Sequence, residues 1–309
     1  PVQKGGPGWG ASILSDLTRP VLKGVGARAP RAASKLFPES GIAVLRDGWG
    51  TEANVLVLDF GHPDGGHAYA ARSSFTAWVK GRPAALSPGS PFSYSDPEYK
   101  PWYYGTRGHN TVWIDGEDQE IWRPGNKRRM WGHLVDWQEG REETRIRVSH
   151  DGYLASKGVR HERTVVLSKE RFFLIYDVLD ARTSEAPRQL QWTLRCPDAL
   201  EVGEDREVAS CGEPGLRIVP AWPEDIEDVE LGWGPSMVPI RYQLDMSPQE
   251  GRTCHVRYGK TLQPGSCARY LTLLVAGDCT DAALRVEEVG GRIWAEATAW
   301  GERHTIDVD

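Results

Sequence analysis

Long hydrophobic runs are missing from this 309-residue chain. No stretch approaches the ~20 apolar residues of a membrane helix, so no membrane span is expected. Strong charge of one sign is missing as well. Thirty-seven Lys and Arg stand against 43 Asp and Glu, a net charge of −6. That balance gives no chain-wide signal for a nucleic-acid partner and leaves local basic patches as candidates for binding a polyanion. Cysteine is sparse: Cys196, Cys211, Cys254, Cys267 and Cys279 all fall in the second half and none forms a CxxC pair. That spacing argues against a zinc knuckle, and the odd count argues against a complete disulfide framework. The five read as buried free thiols, with a single Cys254–Cys267 bridge as the alternative. The crossover helices of a parallel α/β fold are also lacking. The chain opens at Pro1 with neither Met nor a signal-peptide pattern, which has the texture of a processed or excised polypeptide.

What is present is β structure. Residues 1–40 are rich in Gly, Pro, Ala and basic side chains, with one helix expected around Ala11–Lys23 and a linker or wrapping segment over Gly24–Ser40. The texture changes at Gly41, so the sequence predicts an irregular N-terminal segment (1–40) followed by a β domain (41–309). Gly41–Arg46, Asn54–Phe60, Thr111–Ile114, His133–Trp137, Thr144–Ser149, Arg163–Leu167, Phe172–Val178, Gln189–Leu194, Arg269–Val275, Leu284–Val289 and Arg292–Ala297 all read as strands. Asp115-Gly116, Asp151-Gly152, Gly251 and Gly290-Gly291 supply turn signals between them. Many short strands at close spacing predict an all-β fold, a large antiparallel sandwich.

Three clusters between Gly65 and Gln119 carry chemistry-bearing side chains. Gly66-His67-Ala68-Tyr69 leads through Arg72-Ser73-Ser74-Phe75 toward Trp78 and Val79; in extended chain His67 and Tyr69 point to one face, an imidazole beside a phenol. Packing of Tyr69 and a carbonyl bond from His67 is the plain alternative. The Pro- and Gly-dense stretch Gly81-Arg82-Pro83, Ser87-Pro88-Gly89-Ser90, Tyr94-Ser95-Asp96-Pro97 reads as an ordered surface loop. Thr106-Arg107-Gly108-His109-Asn110-Thr111 sets Arg, His and Asn in one turn, a group able to orient a carboxylate. The chain has thirteen tryptophans, and Trp102, Trp113, Trp122, Trp131 and Trp137 crowd into one region. Most are expected in the core, some as stacking platforms for sugar rings. Trp122-Arg123-Pro124-Gly125-Asn126-Lys127-Arg128-Arg129 is the clearest basic patch, suited to a sulfated or carboxylated chain or to a solvated loop.

Taken together and in order, Gly66-His67, Ser74-Phe75, Gly81-Arg82-Pro83, Pro88-Gly89, Tyr94, Asp96-Pro97, His109-Asn110-Thr111-Val112 and Asp115-Gly116 with Gln119 resemble the β-sandwich region of the heparinase II/III-like polysaccharide lyases. The flanking runs Leu36-Phe37-Pro38 and Arg171-Phe172-Phe173-Leu174-Ile175-Tyr176-Asp177 extend the resemblance over roughly Leu36 to Leu194. It implies an α/α-toroid domain ahead of the sandwich, with substrate in the cleft between them. That toroid is not in this chain, so a helical domain or subunit is an implied partner. Members with a metal place it on positions that are Tyr69, Ser87 and His109 here. Only His109 is a good zinc ligand, and Ala71 stands where a carboxylate would be, so no metal and no other cofactor is expected.

The resemblance further implies β-elimination on an acidic, uronic-acid polysaccharide and a periplasmic or extracellular location. In that chemistry the carboxylate is neutralised, a base takes the C5 proton and an acid protonates the departing oxygen. His67 and Tyr69 are the catalytic candidates, Tyr69 alternatively filling the vacated metal position. Arg72, Tyr94, Arg107, His109, Asn110, Trp122, Arg123 and Arg128 are the substrate-binding candidates. A non-catalytic carbohydrate-binding or structural module is the second reading, and an accessory sandwich of a glycoside hydrolase the third.

Overall fold

Alternation decides the architecture. In Ile42–Arg46 every second side chain is buried, and the same holds for Val55–Leu58 and Arg292–Ala299, as expected for strands with one face on a core. A computed structural model describes residues 33–61, 69–91, 93–121, 132–212, 215–236 and 251–309. Residues 33–309 form one compact unit.

The first five strands, β1 (Lys35–Phe37), β2 (Ile42–Arg46), β3 (Val55–Asp59), β4 (Ser74–Val79) and β5 (Arg82–Ala85), form a sheet in sequence order. Next come β6 (Val112–Ile114), β7 (Gly132–Glu139), β8 (Glu143–Tyr153), β9 (Val159–Ser168), β10 (Phe172–Asp180) and β11 (Arg188–Cys196). They are followed by β12 (Leu200–Val202), β13 (Val208–Ser210), β14 (Leu216–Pro220), β15 (Asp228–Ser236), β16 (Gly251–Leu262) and β17 (Cys267–Ala276). The last three are β18 (Ala283–Val289), β19 (Arg292–Ala299) and β20 (Glu302–Asp307). An eight-stranded sheet runs β12-β13-β14-β17-β10-β9-β8-β7, a four-stranded one β15-β16-β11-β6 and a three-stranded one β18-β19-β20. The strand pairings are antiparallel.

The eight-stranded sheet is the middle layer. From β10, Phe173, Ile175 and Leu179 enter a core shared with the five- and four-stranded sheets, while Phe172, Leu174 and Tyr176 enter a second core beneath the three-stranded sheet. Burial on both faces is why β10 reads as a continuous apolar run rather than an alternating one. All the expected strands appear, in the all-β, antiparallel sandwich the sequence predicts.

Some local expectations are corrected. β1 pairs with β2 and so lies within the segment read as linker; three residues are too few for a periodic signal. Gly81-Arg82-Pro83 is not surface loop: Lys80 and Gly81 are a two-residue turn with positive φ, joining β4 to the edge strand β5. Pro83 fits there because an edge strand can spare an N–H. Asp151-Gly152 is an irregularity inside β8, where the register to β9 shifts between His150 and Tyr153. Asp115-Gly116 and Gly290-Gly291 do turn, each with both φ angles positive as a tight hairpin requires. The strands β12, β13 and β14 were hidden by brevity and β15 by Gly232, Gly234 and Pro235; β16 is long, but its polar and charged residues leave few apolar positions to signal a strand. All five thiols are free; Cys196, Cys254 and Cys279 are buried, but Cys211 and Cys267 are exposed, and Cys254 faces Cys196 across the β11–β16 ladder. The helix expected at Ala11–Lys23, together with His67, Trp122, Arg123 and Arg128, lies outside the described residues.

Candidate active site

Two loops meet over the ends of β4 and β6. Residues 69–73 approach β4, and residues 93–111 contain a π-helical turn (Tyr99–Tyr104) and a 3-10 turn (Thr106–Gly108) before β6. The Ala70 N–H donates to the Tyr104 carbonyl at 2.9 Å, and the Thr106 hydroxyl donates back to the Ala70 carbonyl. Gln119 clamps Arg72: its Oε1 accepts the Arg72 N–H at 2.8 Å and its Nε2 donates to the Arg72 carbonyl at 3.2 Å.

The loops are also bolted to the sandwich from below. Asn110 Nδ2 donates to the Phe75 and Leu86 carbonyls at 2.7 and 3.2 Å, and its Oδ1 accepts the Arg195 N–H at 2.8 Å. Its amide is thus spent on three stretches of backbone. Arg163, fully buried on β9, donates to the carbonyls of Ser73 and Asn110. Its Nε and Nη2 form a fork with Asp177 at 2.7 and 2.9 Å. Trp192 Nε1 also donates to Asp177 at 2.9 Å, and so does His161 Nε2 at 2.6 Å. His161 Nδ1 in turn accepts from His150 Nε2 at 2.8 Å, while His150 Nδ1 accepts the Gly152 N–H at 3.1 Å. This order fixes both imidazoles as neutral Nε2–H tautomers, and burial pushes both toward that form. Burial alone would raise the Asp177 carboxyl, but Arg163 and His161 outweigh it and hold the acid at about 2.

On the loops themselves, Tyr69 is 37% exposed and its ring lies 5.5 Å from that of His109, which is 3% exposed. His109 Nδ1 donates to the Gly105 carbonyl at 2.9 Å, which leaves the Nε2 lone pair uncommitted among the described residues. Burial, with Arg195 adding to it, lowers His109 to about 4. The imidazole is therefore neutral at neutral pH, an acceptor beside a phenol. Ser87 is half-buried, and no group of three His, Cys, Asp or Glu side chains among the described residues is placed to hold a metal ion. A phenol, a hydroxyl and one imidazole do not make a zinc site; no step through a metal follows from them.

Arg72 is buried, and none of its guanidinium nitrogens has a hydrogen-bond partner among the described residues. Burial lowers it to about 10, with Asp59 and Asp151 opposing the shift, so it keeps its charge at neutral pH. An aromatic run leads to the site: Tyr94, 66% exposed, meets the half-buried Tyr99 edge-on at 5.1 Å, and Tyr99 lies 6.0 Å from Tyr104, also half-buried. Asp118 accepts the Thr106 N–H at 2.8 Å, and burial raises its carboxyl.

Arg107 is the outer member of a stack that sequence reasoning missed in large part. Its guanidinium lies 5.7 Å from both Trp102 and Trp113. From β11 and β16, Arg195 sits 4.8 Å from Trp102 and Arg257 sits 5.5 Å from Trp113. Gly234 permits this packing, since a Cβ there would lie 1.8 Å from the Trp102 ring. Arg257 Nη1 donates to Glu230 at 3.0 Å, but its Nε and Nη2 lack partners among the described residues, as do both ring nitrogens of His255. His255 stands 3.8 Å from Glu230, too far for a hydrogen bond. Burial lowers Arg195 to about 9 and His255 to about 4. On β16, His255 and Arg257 are spaced by two and share a face; Arg195 on β11 carries no such signal.

The comparisons agree with this architecture. The model of the heparinase II/III-like C-terminal family matches residues 29–233, and the chain belongs to that family. The heparin-sulfate lyase of Pedobacter heparinus is 27% identical over 154 residues, covering 48% of this chain and 22% of that enzyme. The heparin-sulfate lyase of Bacteroides stercoris is 24% identical over 152 residues, covering 48% and 21%. The crystal structure of heparan sulfate lyase from Pedobacter heparinus superposes with a TM-score of 0.77 at 17% identity, over 98% of this chain and 48% of that one. That identity carries the fold alone. The chain spans just under half of the solved lyase, and its match takes in about a fifth of each curated relative. The family is one of polysaccharide lyases.

Proposed function

We propose that this chain is the β-sandwich part of a polysaccharide lyase that cleaves uronic-acid-containing glycans by β-elimination. The observation that carries the reading is an exposed phenol, Tyr69, set against the neutral imidazole of His109 on a wall rich in uncompensated guanidinium groups. In this family context an acidic polymer is the natural substrate, and a helical domain or subunit closes the other side of the cleft. A periplasmic or extracellular setting is where such a polymer would be met.

The chemistry asks for three things. Positive charge or hydrogen bonds at the uronate carboxylate make the C5 proton acidic; the exposed Arg107 is assigned to this, the buried charge of Arg72 adds to the positive field behind it, and Tyr94 and the basic run at Trp122, Arg123 and Arg128 guide the chain. A base removes the C5 proton as the C4–O4 bond breaks and a C4–C5 double bond forms. An acid delivers a proton to O4. Tyr69 and His67 are assigned to these transfers. His109 accepts a hydrogen bond from the Tyr69 phenol or from substrate, and Asn110 holds the turn that carries His109.

The test is the gain of ultraviolet absorbance from the new conjugated double bond when the intact gene product meets a panel of uronic-acid polymers. A second reading, a carbohydrate-binding module without catalysis, draws support from the poor metal-ligand set at Tyr69, Ser87 and His109. Saturable binding without any absorbance gain would favour it.

A further inference from the structure

A cleft of about 490 Å³ opens where the β16–β17 hairpin, the turn after Trp222 and the β18–β19 pair come together. That volume is within the range of small-ligand pockets. We propose that this cleft is a second carbohydrate-binding site, one that takes an uncharged sugar ring stacked on Trp222.

The walls come from three sheets, so the site is built by the fold and not by one loop. Trp222 is half-buried, its ring seated against the second core while part of it stays open to the cleft. An indole face held this way suits the C–H face of a pyranose. Donors and acceptors surround it. Lys260, 7% exposed, spends one ammonium proton on the Arg269 carbonyl at 2.7 Å. Its nearest carboxylate, Asp225, is 3.9 Å away, and the Tyr270 and Trp222 rings are at 4.8 and 5.9 Å. An ammonium has three donors, so two remain for a ligand among the described residues. Asp225 and Glu288 are more than half exposed and offer acceptors from opposite sides. Glu227 is already tied to Thr261 at 2.9 and 2.7 Å, which fixes the rim.

Charge separates this cleft from the wall around Arg107. Three carboxylates (Asp225, Glu227, Glu288) face two cations (Lys260, Arg269). A sulfate or uronate would meet excess negative charge, whereas the hydroxyls of an uncharged sugar use donors and acceptors alike. Binding in this cleft is independent of lyase activity.

Cys267 lines the same cleft and is exposed, while Cys211, also exposed, is not among its lining residues. The experiment follows iodoacetamide labelling of both thiols by mass spectrometry on the full chain. The probes are cellobiose, maltose and N,N′-diacetylchitobiose, with an unsaturated heparin disaccharide for comparison. At least one uncharged probe should slow labelling of Cys267 several-fold and leave Cys211 unchanged. Trp222→Ala should weaken that protection about tenfold, and Glu288→Ala, at an exposed strand position, should weaken it in a protein of unaltered fold. No protection by any uncharged probe, protection by the heparin disaccharide alone, or undiminished protection in both variants would overturn the proposal.

Discussion

At the scale of single residues, the proposed chemistry falls to Tyr69 and His109. With Nδ1–H bound to a carbonyl and its pKa lowered to about 4, His109 is a poor proton donor at neutral pH, and the proposed reaction therefore assigns it to support the phenol. Tyr69→Phe removes one hydroxyl from a 37% exposed side chain and should leave thermal unfolding unchanged. Lyase turnover should nevertheless fall by about a hundredfold or more, the scale of a lost general acid–base group. Near-normal turnover would reduce Tyr69 to filler for a vacated ligand position. Arg107 belongs at this scale too. Its guanidinium is exposed, so Arg107→Ala should weaken polymer binding and flatten its salt dependence, measured by titration at two ionic strengths. An unchanged salt slope would remove Arg107 from the binding surface. The residues of this site were legible because they cluster in a short stretch between Gly66 and Gln119. Arg195, His255 and Arg257 were not, because they come from β11 and β16 and meet the loop only after folding.

The next scale is the strand. β9 and β10 each carry a charge into the centre of the first core, Arg163 against Asp177, and the pair ties that core to the Ser73 and Asn110 carbonyls. Arg163→Met would strand a buried carboxylate, which costs about 3–5 kcal/mol when one member of a buried pair is removed. Urea unfolding should report a loss of that order, along with loosened loops at residues 69–75 and 105–111. A loss below about 1 kcal/mol would mean that Asp177 is compensated otherwise. The sequence contained a trace of this: Asp177 interrupts the apolar run Phe172–Leu179, and a charge inside a strand buried on both faces demands a partner. The partner's identity was not readable, since the pairing of Arg163 with Asp177 depends on hairpin register. The same limit explains Asp151-Gly152, whose turn chemistry was overridden by the β8–β9 ladder.

At the scale of the whole molecule, burial holds His109, His150, His161 and His255 neutral and lowers His304 as well, among the described residues. Each has a folded-state pKa below its unfolded value of about 6.5. The unfolded chain therefore takes up more protons as the pH drops, so their contribution is intact above about 6.5 and is lost as the pH falls toward 4. Thermal unfolding monitored from pH 7.5 to 4.5 should show a declining midpoint across that window; a flat or rising midpoint would contradict the neutral assignment. The raised carboxyls of Asp47, Asp59 and Asp118 act in the opposite sense, but lower, in the range where carboxylates titrate. The sandwich as a class was readable from strand spacing. Its division, among the described residues, into four sheets with two cores was not, because which face of β10 meets which layer is a tertiary fact.

All of this rests on one functional claim, that the Tyr69–His109 wall serves β-elimination of an acidic glycan. The most direct measurement is ultraviolet absorbance of the intact gene product incubated with heparan sulfate, chondroitin sulfate, hyaluronan and alginate. The account predicts a time-dependent gain on at least one of them, abolished or cut about a hundredfold by Tyr69→Phe. Binding to such polymers with no absorbance gain on any of them would contradict it.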